Sequence, residues 1–403
     1  MTNDIAEIFS LQGLRVTVIT TTDTTITLKA KSPRRTADCT RCGARAHRIH
    51  QHRRRIVNHG QLNDKRIMVS LAVRRFLCKG CGRTFTEQLP GINRRLSTDR
   101  CLTRQLQDAA TTSIKGTAER HDKAWASVAG LLDDIRYDIP WHKQGRRISL
   151  GIDEHSLKRR RQMVTTVTNL TRGRRGLLTI LPNDKKETIV KFFKQLPDAV
   201  KARITEVCID MRMSFRVAIE AGLPGVNIVA DPFHVVQLAG RAVEAVREVV
   251  LGNLGRQPHV TLALRTPQEK LTAEERTKLA QLWEMTAPWP ALKIAWQVKE
   301  KIRDLYHSRN RQSAAHKFAL ILAYLDGADA RPLRVLHGTL VRWQEQILNH
   351  FDHRTTNGFT EECHTKIKML KRLSYGFRNR ARYRTKILLG FHPVSEFIST
   401  TTN

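Results

Sequence analysis

The stretch Arg147-Ile148-Ser149-Leu150-Gly151-Ile152-Asp153 decides the fold of this chain. Its branched apolar residues alternate with small or acidic ones, which is the two-residue period of a β-strand. Because Ser149 and Gly151 share one face, we expect a central strand with another element packed closely over these two residues. Asp153 is expected at the carboxyl end of the strand, where open α/β sheets place their chemistry. The alternative is an ordinary core strand whose aspartate begins a turn.

The segments that follow this strand continue the pattern of an α/β unit. Segments 163–168 and 177–181 come at short intervals and predict an antiparallel meander together with the first strand. A helical segment follows, and then two more strand-like segments that end in Asp210 and Asp231. The order is therefore three strands, helix, strand, helix, strand, which is the order of the ribonuclease H-like fold.

The charge of the chain indicates its class of partner. Lys and Arg total 70 against 37 Asp and Glu in 403 residues, a net charge of +33. The length predicts two or more domains. The basic residues are spread along the whole chain, which favours a long path for nucleic acid across several domains. A ribosomal-type or non-specifically basic protein is the alternative.

The N-terminus, the apolar runs and the cysteines indicate the cellular compartment of the chain. The N-terminus lacks the positive start and apolar run of a signal peptide. No apolar run reaches the roughly 18 residues of a membrane span, so none is expected. There are seven cysteines, an odd number. In a basic chain they indicate a reducing, cytoplasmic compartment and a metal site instead of disulfides.

Two CxxC pairs carry the most specific local signal. A glycine follows each pair and allows the tight turn that aims backbone amides at the sulfurs. Four thiolates in this spacing suit a tetrahedral Zn²⁺ site, and a strand-like segment at 66–73 lies between the pairs, so a zinc ribbon is predicted. Four unrelated buried cysteines are the alternative. The predicted ligands are Cys39, Cys42, Cys78 and Cys81.

The segment between the cysteine pairs is strongly basic. Arg53, Arg54 and Arg55 predict that the ribbon contacts phosphates, with a solvated face as the alternative. Four nearby histidines offer substitute ligands, although the cysteines already fill the site. They are His47, His50, His52 and His59.

Helices are predicted over 92–140 and again, strongly, over 237–350. In the first region, Leu102 and Leu106 lie on one helical face, and a polar break separates this helix from a second one. This pattern fits a helix-turn-helix and equally a small helical linker, so both remain open. The tryptophans of the second region are more typical of a core than of base stacking. They are Trp283, Trp289, Trp296 and Trp343.

The segment from Asn357 predicts one helix with two faces. One face is apolar, and the other shows Glu361 with basic residues behind it. Acids are favoured in a first helical turn by the helix dipole alone, which is the alternative reason for Glu361. The basic residues predicted to contact DNA here are Lys368, Lys371, Arg372 and Arg378.

In combination, these features resemble the ISL-three family of bacterial insertion-sequence transposases, enzymes of the DDE class. The resemblance covers nearly the whole chain, and its motifs are specific only together. Besides the paired cysteines, the matching segments are Gly151-Ile152-Asp153-Glu154, Ile209-Asp210-Met211, Val229-Ala230-Asp231-Pro232-Phe233-His234-Val235-Val236, Asn357-Gly358 with Glu361, and Tyr375-Gly376-Phe377-Arg378-Asn379.

The resemblance implies a DNA transposase that binds the terminal inverted repeats of its insertion sequence and cleaves and transfers strands. Asp153, Asp210 and Glu361 would be its catalytic triad. Phosphodiester cleavage needs charge neutralised at the entering and leaving oxygens, which Mg²⁺ or Mn²⁺ held by these carboxylates supplies. Terminal repeats and target DNA are the implied partners, the active form is a synaptic homo-oligomer, and the location is the bacterial nucleoid.

Three further residues are candidates for accessory roles, and one other function remains open. Asp231 is either a ligand or, with Pro232 after it, a helix N-cap, which we favour. His234 and His364 are accessory candidates because they lie near the acids in sequence. The alternative function is a zinc-ribbon DNA-binding regulator without catalysis.

The expected fold class is multidomain α+β: a zinc ribbon, a helical linker whose pattern fits a helix-turn-helix, and a ribonuclease H-like catalytic core with an α-helical insertion. The core is expected in two pieces, because the insertion separates the second aspartate from Glu361. The expected boundaries are 1–91 for the region with the ribbon, 92–145 for the helical DNA-binding region, 146–236 for the first part of the core, 237–350 for the insertion and 351–403 for the last part of the core with its basic tail.

Overall fold

The chain folds as two compact units. The first unit comprises Met1–Asp138 and Ile367–Asn403, and the second comprises Ile139–Lys366. The finer five-part division stays a prediction. The computed structural model describes residues 2–11, 13–92, 97–158, 162–252, 258–287 and 289–398.

Strands and helices both contribute, so the mixed α+β prediction is confirmed. In chain order the strands are β1 Arg15–Thr21, β2 Thr25–Lys31, β3 Ala37–Asp38, β4 Arg45–Ala46, β5 Arg48–Leu62, β6 Lys65–Leu77, β7 Thr84–Thr86, β8 Ile148–Lys158, β9 Gln162–Asn169, β10 Gly176–Leu181, β11 Ile204–Ile209 and β12 Asn227–Ala230. The helices are α1 Thr2–Ile8, α2 Asp99–Thr111, α3 Ile114–Arg120, α4 Trp125–Asp134, α5 Lys186–Lys194, α6 Asp198–Lys201, α7 Met213–Gly222, α8 Pro232–Leu251, α9 Pro258–Arg265, α10 Ala273–Met285, α11 Ala291–Leu305, α12 Arg311–Leu325, α13 Arg331–Leu348, α14 His350–His353, α15 Gly358–Leu373, α16 Arg380–Phe391 and α17 Ser395–Ile398.

The first unit contains a sheet in the order β1-β2-β6-β5, with β7 paired to β6. Strand β2 runs parallel to β6, and the other pairs are antiparallel. Its core is formed by alternating residues of these strands, such as Leu28, Val57 and Val69, which are all fully buried. The predicted strand at 66–73 is therefore confirmed, although β6 is longer than expected because β5 pairs along nearly all of it.

Three short helices follow this sheet in the first unit. Thr98 and Ser113 cap α2 and α3, each accepting a hydrogen bond from a backbone amide of the first turn. The predicted face of α2 is buried, with Leu102 and Leu106 in it. Residues 121–124 join α3 to α4, and the helix-turn-helix stays a prediction.

The sheet of the second unit has the order β10-β9-β8-β11-β12. Strands β8, β9 and β10 are antiparallel neighbours, as the meander predicted, and β11 and β12 run parallel to β8. The stretch around Gly151 therefore lies in the central strand, where Ile148, Leu150 and Ile152 are completely buried.

One expectation about this strand is wrong: Asp153 does not end it. Strand β8 continues to Lys158. The reason is that its two neighbours stop at different places, since pairing with β11 ends at Ile152 whereas pairing with β9 continues to Lys158. Asp153 thus lies at the point where β8 stops pairing with β11 and continues to pair with β9 alone.

Helices α8 to α14 form a helical segment between β12 and α15. The predicted capping box is present, with Thr272 and Glu275 bonding to each other's backbone amides. Trp296 and Trp343 are buried and Trp283 packs against the core, as predicted for core tryptophans, whereas Trp289 is 64% exposed. Within the described ranges, no helix combines the length and the apolar character needed to cross a bilayer.

Candidate active site

Three aspartates emerge from three neighbouring strands at one edge of the sheet of the second unit. In the register of the parallel strands, Ile152 pairs with Ile209, and Ile209 pairs with Ala230. The next residue along each strand is an aspartate, namely Asp153, Asp210 and Asp231. Asp210 and Asp231 directly follow buried strands and Asp153 lies within β8, and the strand register places the three acids side by side.

The pKa values of the three aspartates are raised, so their carboxyl groups ionise less readily than in water. Burial, followed by repulsion from Asp210, raises the pKa of Asp153 to about 7. Burial also raises the pKa of Asp210 to about 6 and raises the pKa of Asp231. Such a group of acids becomes fully charged most readily when a cation lies among them.

Asp210 has an oxygen atom of the kind that a divalent cation binds. Its Oδ1 atom is buried and, among the residues that the structure describes, has no hydrogen-bond partner. A buried carboxylate oxygen without a partner is unfavourable unless a ligand satisfies it, and oxygen donors of this kind suit Mg²⁺ or Mn²⁺. The oxygen donor of Asp210 therefore fits a divalent cation.

Asp231 occupies the position that the sequence predicted but makes a different bond. It is the N-cap residue of α8 with Pro232 after it, yet its side chain forms no capping hydrogen bond. Instead, Oδ1 accepts a hydrogen bond of 3.0 Å from the backbone amide of Asn357. His234 lies one turn into α8, with its Nε2 atom 3.9 Å from Asp231 Oδ2. Asp231 thus fastens the segment that begins α15 to the edge of the sheet.

Helix α15 brings Glu361 toward the aspartates. Asn357, completely buried before the first turn, also donates from Nδ2 to the carbonyl of Ile152 at 3.4 Å. Glu361 follows four residues later and is exposed. Its charge raises the pKa of both Asp153 and Asp231, so the four acids share one electrostatic environment.

Gly151 explains how α15 approaches the sheet so closely. An added Cβ at this position would lie 2.5 Å from Asn357 Oδ1 and Thr168 Oγ1, and 2.6 Å from Thr360 Oγ1. These three side chains are buried and bonded to one another, with 2.7 Å between the two threonine hydroxyls and 2.6 Å from Thr360 to Asn357. The expectation of close packing over Gly151 is confirmed.

The face beside Ser149 is covered as well. Its hydroxyl donates to Glu206 Oε1 at 2.6 Å, and Thr355 bonds to the same oxygen. Glu206 is almost completely buried. The segment that leads into α15 is therefore bonded to Ser149 through Glu206, and it packs directly over Gly151.

His364 contacts the acidic group from α15. Its Nδ1 atom lies 3.7 Å from Asp153 Oδ2, and its Nε2 atom lies 3.0 Å from Thr166 Oγ1. The same hydroxyl lies 2.9 Å from His155 Nδ1, so a buried threonine joins two histidines beside Asp153. Sequence reasoning missed Thr166, His155 and Asn357. Thr166 pairs directly with Asp153 across β8 and β9, a relation that only the strand register shows.

The four predicted zinc ligands form a second, separate cluster in the first unit. Their potential ligand atoms all lie within 4.8 Å of one another, with 3.8 Å between Cys39 and Cys81 and 3.5 Å between Cys42 and Cys78. Four sulfurs at the Zn–S distance lie about 3.8 Å apart in a tetrahedron. Among the described residues, no other group of potential ligands is gathered so closely.

The glycines after each cysteine pair have the role that the spacing predicts. Gly43 and Gly82 have positive φ angles of 72° and 69°, and each donates its amide to the carbonyl of the first cysteine of its pair. The backbone amides of Arg41 and Cys42 lower the pKa of Cys39 to about 6. This cluster can hold a metal ion.

The residues predicted to contact DNA all lie in the first unit. Arg53, Arg54 and Arg55 are consecutive exposed residues of β5. Lys368 and Arg372 are exposed on the last turns of α15, Lys371 is half-buried there, and Arg378 is exposed between α15 and α16.

Comparison with known proteins finds similarity to transposases. Residues 150–387 match a family model described as a transposase, of the ISL-three group. The transposase for insertion sequence element IS1001 of Bordetella parapertussis is 26% identical over 386 residues, which cover 91% of this chain and 92% of that protein. The transposase for insertion sequence element IS1557 of Mycobacterium tuberculosis is 26% identical over 288 residues, covering 64% of this chain and 63% of that protein.

Proposed function

This chain belongs to the ISL-three family of transposases, and from that premise we propose that it binds the terminal inverted repeats of its insertion sequence and cleaves and joins DNA through Asp153, Asp210 and Glu361. The observation that carries the proposal is the alignment of the aspartates at one sheet edge, with Glu361 acting on the same site.

The strand order supports a ribonuclease H-like catalytic core in the second unit. Three antiparallel strands are followed by two parallel ones on the other side of β8. The helical segment α8–α14 is then the insertion, placed between β12 and the helix that carries Glu361. In this arrangement the insertion can vary without moving the carboxylates, because each of these is anchored to the sheet or to α15.

The residues of the candidate site would have different roles in phosphodiester cleavage. Asp153, Asp210 and Glu361 would hold Mg²⁺ or Mn²⁺, which supplies positive charge at the attacking and leaving oxygens. Asp153 is central, since it lies between Asp210 and the face of α15. Asp231 anchors the start of α15 through Asn357, and His364 and Thr166 hold the far side of Asp153. A side-chain nucleophile is not required, because water and a DNA hydroxyl serve as nucleophiles.

Glu361 and its neighbour Glu362 give a matched test. Both are exposed acids on the same turn of α15. The charge of Glu361 raises the pKa of Asp153 and of Asp231, whereas the charge of Glu362 raises the pKa of Cys363. We expect Glu361→Gln to reduce Mn²⁺-dependent cleavage of a labelled duplex carrying the element's ends by at least about 100-fold. Glu362→Gln should stay within about twofold of the wild type. Equal losses in both variants, or no loss in either, would contradict a catalytic role for Glu361.

The cysteine cluster completes the proposal as a structural Zn²⁺ site. The four sulfurs have near-tetrahedral spacing, and in the first knuckle the backbone amides of Arg41 and Cys42 act on the Cys39 thiol. Zinc would hold the short hairpin β3–β4 against the β6–β7 hairpin. It would thereby fix the base of the β5–β6 hairpin, whose exposed arginines we propose to contact DNA phosphates.

Metal analysis tests the zinc proposal. Purified wild-type protein should contain about one Zn²⁺ per chain, and Cys81→Ser should contain close to none, because three ligands hold structural zinc far less tightly. Cys101→Ser is the control, since this buried thiol lies outside the cluster. Zinc retained in full by Cys81→Ser, or lost equally from Cys101→Ser, would contradict the assignment.

A further inference from the structure

The part of β8 that continues past Asp153 places a buried histidine beside this carboxylate. Asp153 and His155 are two residues apart in the strand, so their side chains lie on the same face of the sheet. Thr166 of β9 pairs directly with Asp153, and His364 approaches from α15. All four side chains are buried, Thr166 completely. The two histidine rings therefore have little surface with which to contact DNA.

The contacts among these side chains form a continuous polar network. Thr166 Oγ1 lies 2.9 Å from His155 Nδ1 and 3.0 Å from His364 Nε2, and the centroids of the two rings are 4.8 Å apart. The other ring nitrogen of His364, Nδ1, lies 3.7 Å from Asp153 Oδ2. This two-histidine network, formed by His155, Thr166 and His364, therefore ends at the central carboxylate of the candidate site.

The threonine hydroxyl gives the two-histidine network a direction. The hydroxyl has one proton, so it can donate to only one ring, and the other ring must donate to it. If His364 Nε2 were the donor, a neutral His364 would turn the lone pair of Nδ1 toward the Asp153 carboxylate, which would repel it. In the opposite arrangement, His155 Nδ1–H donates to Thr166, Thr166 donates to His364 Nε2, and the Nδ1–H group of His364 faces Asp153. An ionised Asp153 favours this second arrangement.

We infer that His155 and Thr166 are positioning residues, which act through His364 to hold the Asp153 carboxylate in the orientation that binds a divalent cation. The inference rests on the proposed function, because it takes Asp153 as a metal ligand. In this arrangement His364 is not itself a ligand, since Nε2 accepts from Thr166 and Nδ1 carries a proton. Side chains that orient a ligating group in this way commonly change metal affinity by roughly 10–100-fold.

Manganese binding tests the inference without relying on cleavage. Mn²⁺ is titrated into the full-length protein, and the electron paramagnetic resonance signal of free Mn²⁺ gives the Kd. Thr166→Val keeps the shape of the side chain but removes the hydroxyl, and we expect it to weaken binding about tenfold. Thr166→Ser keeps the hydroxyl and should remain within about threefold of the wild type. Equal Kd values for Thr166→Val and the wild type would overturn the inference.

Thr165→Val is the matched control for this variant. Thr165 is also completely buried in β9, but it points to the opposite face of the sheet, where its hydroxyl donates to the carbonyl of Asn183 at 2.9 Å. Its replacement likewise removes a buried hydrogen bond, and it should leave the Kd for Mn²⁺ within about twofold of the wild type. An equal loss of affinity in Thr165→Val would contradict a specific role for Thr166.

His155→Phe tests the end of the two-histidine network that lies farthest from Asp153. Phenylalanine keeps a ring but lacks the nitrogen donor, so binding of Mn²⁺ should again weaken about tenfold. A double variant with Thr166→Val should bind Mn²⁺ no more weakly than either single variant, because both changes interrupt the same network. Losses that multiply in the double variant would show that the two residues act separately, contrary to the inference.

Asp153→Asn separates the inference from the proposed function. This variant should weaken Mn²⁺ binding more than any of the others, because it removes the ligand itself. If it does so while Thr166→Val and His155→Phe bind Mn²⁺ like the wild type, the inference alone is contradicted. Mn²⁺ binding that Asp153→Asn leaves unchanged would contradict the proposed function, and the inference with it. Thermal unfolding midpoints confirm that each variant is folded.

Discussion

Asp153→Asn is expected to lower metal-dependent DNA cleavage by at least about 1000-fold, which corresponds to about 4 kcal/mol of barrier. The reason is that Asp153 lies at the centre of the acidic group, beside Asp210 in the strand register and within 3.7 Å of His364. An amide has nearly the same shape as the carboxylate but carries no negative charge for a cation. Cleavage of a labelled duplex in Mg²⁺ or Mn²⁺ measures the loss.

The same substitution should stabilise the metal-free protein, which a purely structural role would not predict. The pKa of Asp153 is about 7 in the fold, against about 3.9 in an unfolded chain. The folded state therefore binds the proton more tightly, and its stability falls as the pH rises from about 4 to about 7. Asparagine avoids this loss, on the order of a few kcal/mol. In EDTA, the variant should melt above the wild type, and the difference should be larger at pH 8 than at pH 5.

DNA binding provides the control for this variant. Binding to terminal-repeat DNA should remain within about threefold of the wild type, because the residues proposed to contact phosphates lie in the first unit. If the variant melts below the wild type at both pH values, Asp153 has a structural role instead. A wild type that binds the repeats yet never cuts them in either metal would favour the DNA-binding regulator.

Gly151→Ala is expected to destabilise the protein by about 3 kcal/mol and to remove most of its cleavage activity. The added methyl group would meet Asn357, Thr168 and Thr360, whose nearest atoms lie 2.5–2.6 Å away. All three side chains are buried and bonded to one another, so none can move without breaking a hydrogen bond. The start of α15 would shift away from β8 and carry Glu361 with it.

Gly176→Ala is the matched control for this prediction. Gly176 also lies in a strand of the same sheet, has no positive φ angle, and has no atom within 4 Å of an added Cβ. Its replacement should change stability by no more than about 0.5 kcal/mol. Urea unfolding at 25 °C compares the two variants. Equal stabilities for Gly151→Ala and the wild type would show that α15 is not held against the central strand in this way.

The features that local sequence could predict are those with a short-range cause. Alternating apolar residues identified the central strand, and two CxxC pairs followed by glycine identified the cysteine cluster. The close packing over Gly151 was also predictable, since a small residue in a buried strand leaves space that another element fills. Each of these predictions rests on a pattern of residues that lie within a few positions of one another in the sequence.

The features that only the tertiary structure decided come from residues far apart in the chain. Strand register aligned Asp153 with Asp210, and it also let β8 continue past Asp153 because its two neighbours end at different places. Asp231 is the N-cap residue of α8, as predicted, but its side chain also bonds to Asn357, 126 residues away. Burial and charge repulsion are sums over such distant neighbours, so the raised pKa values of the aspartates have no counterpart in local sequence.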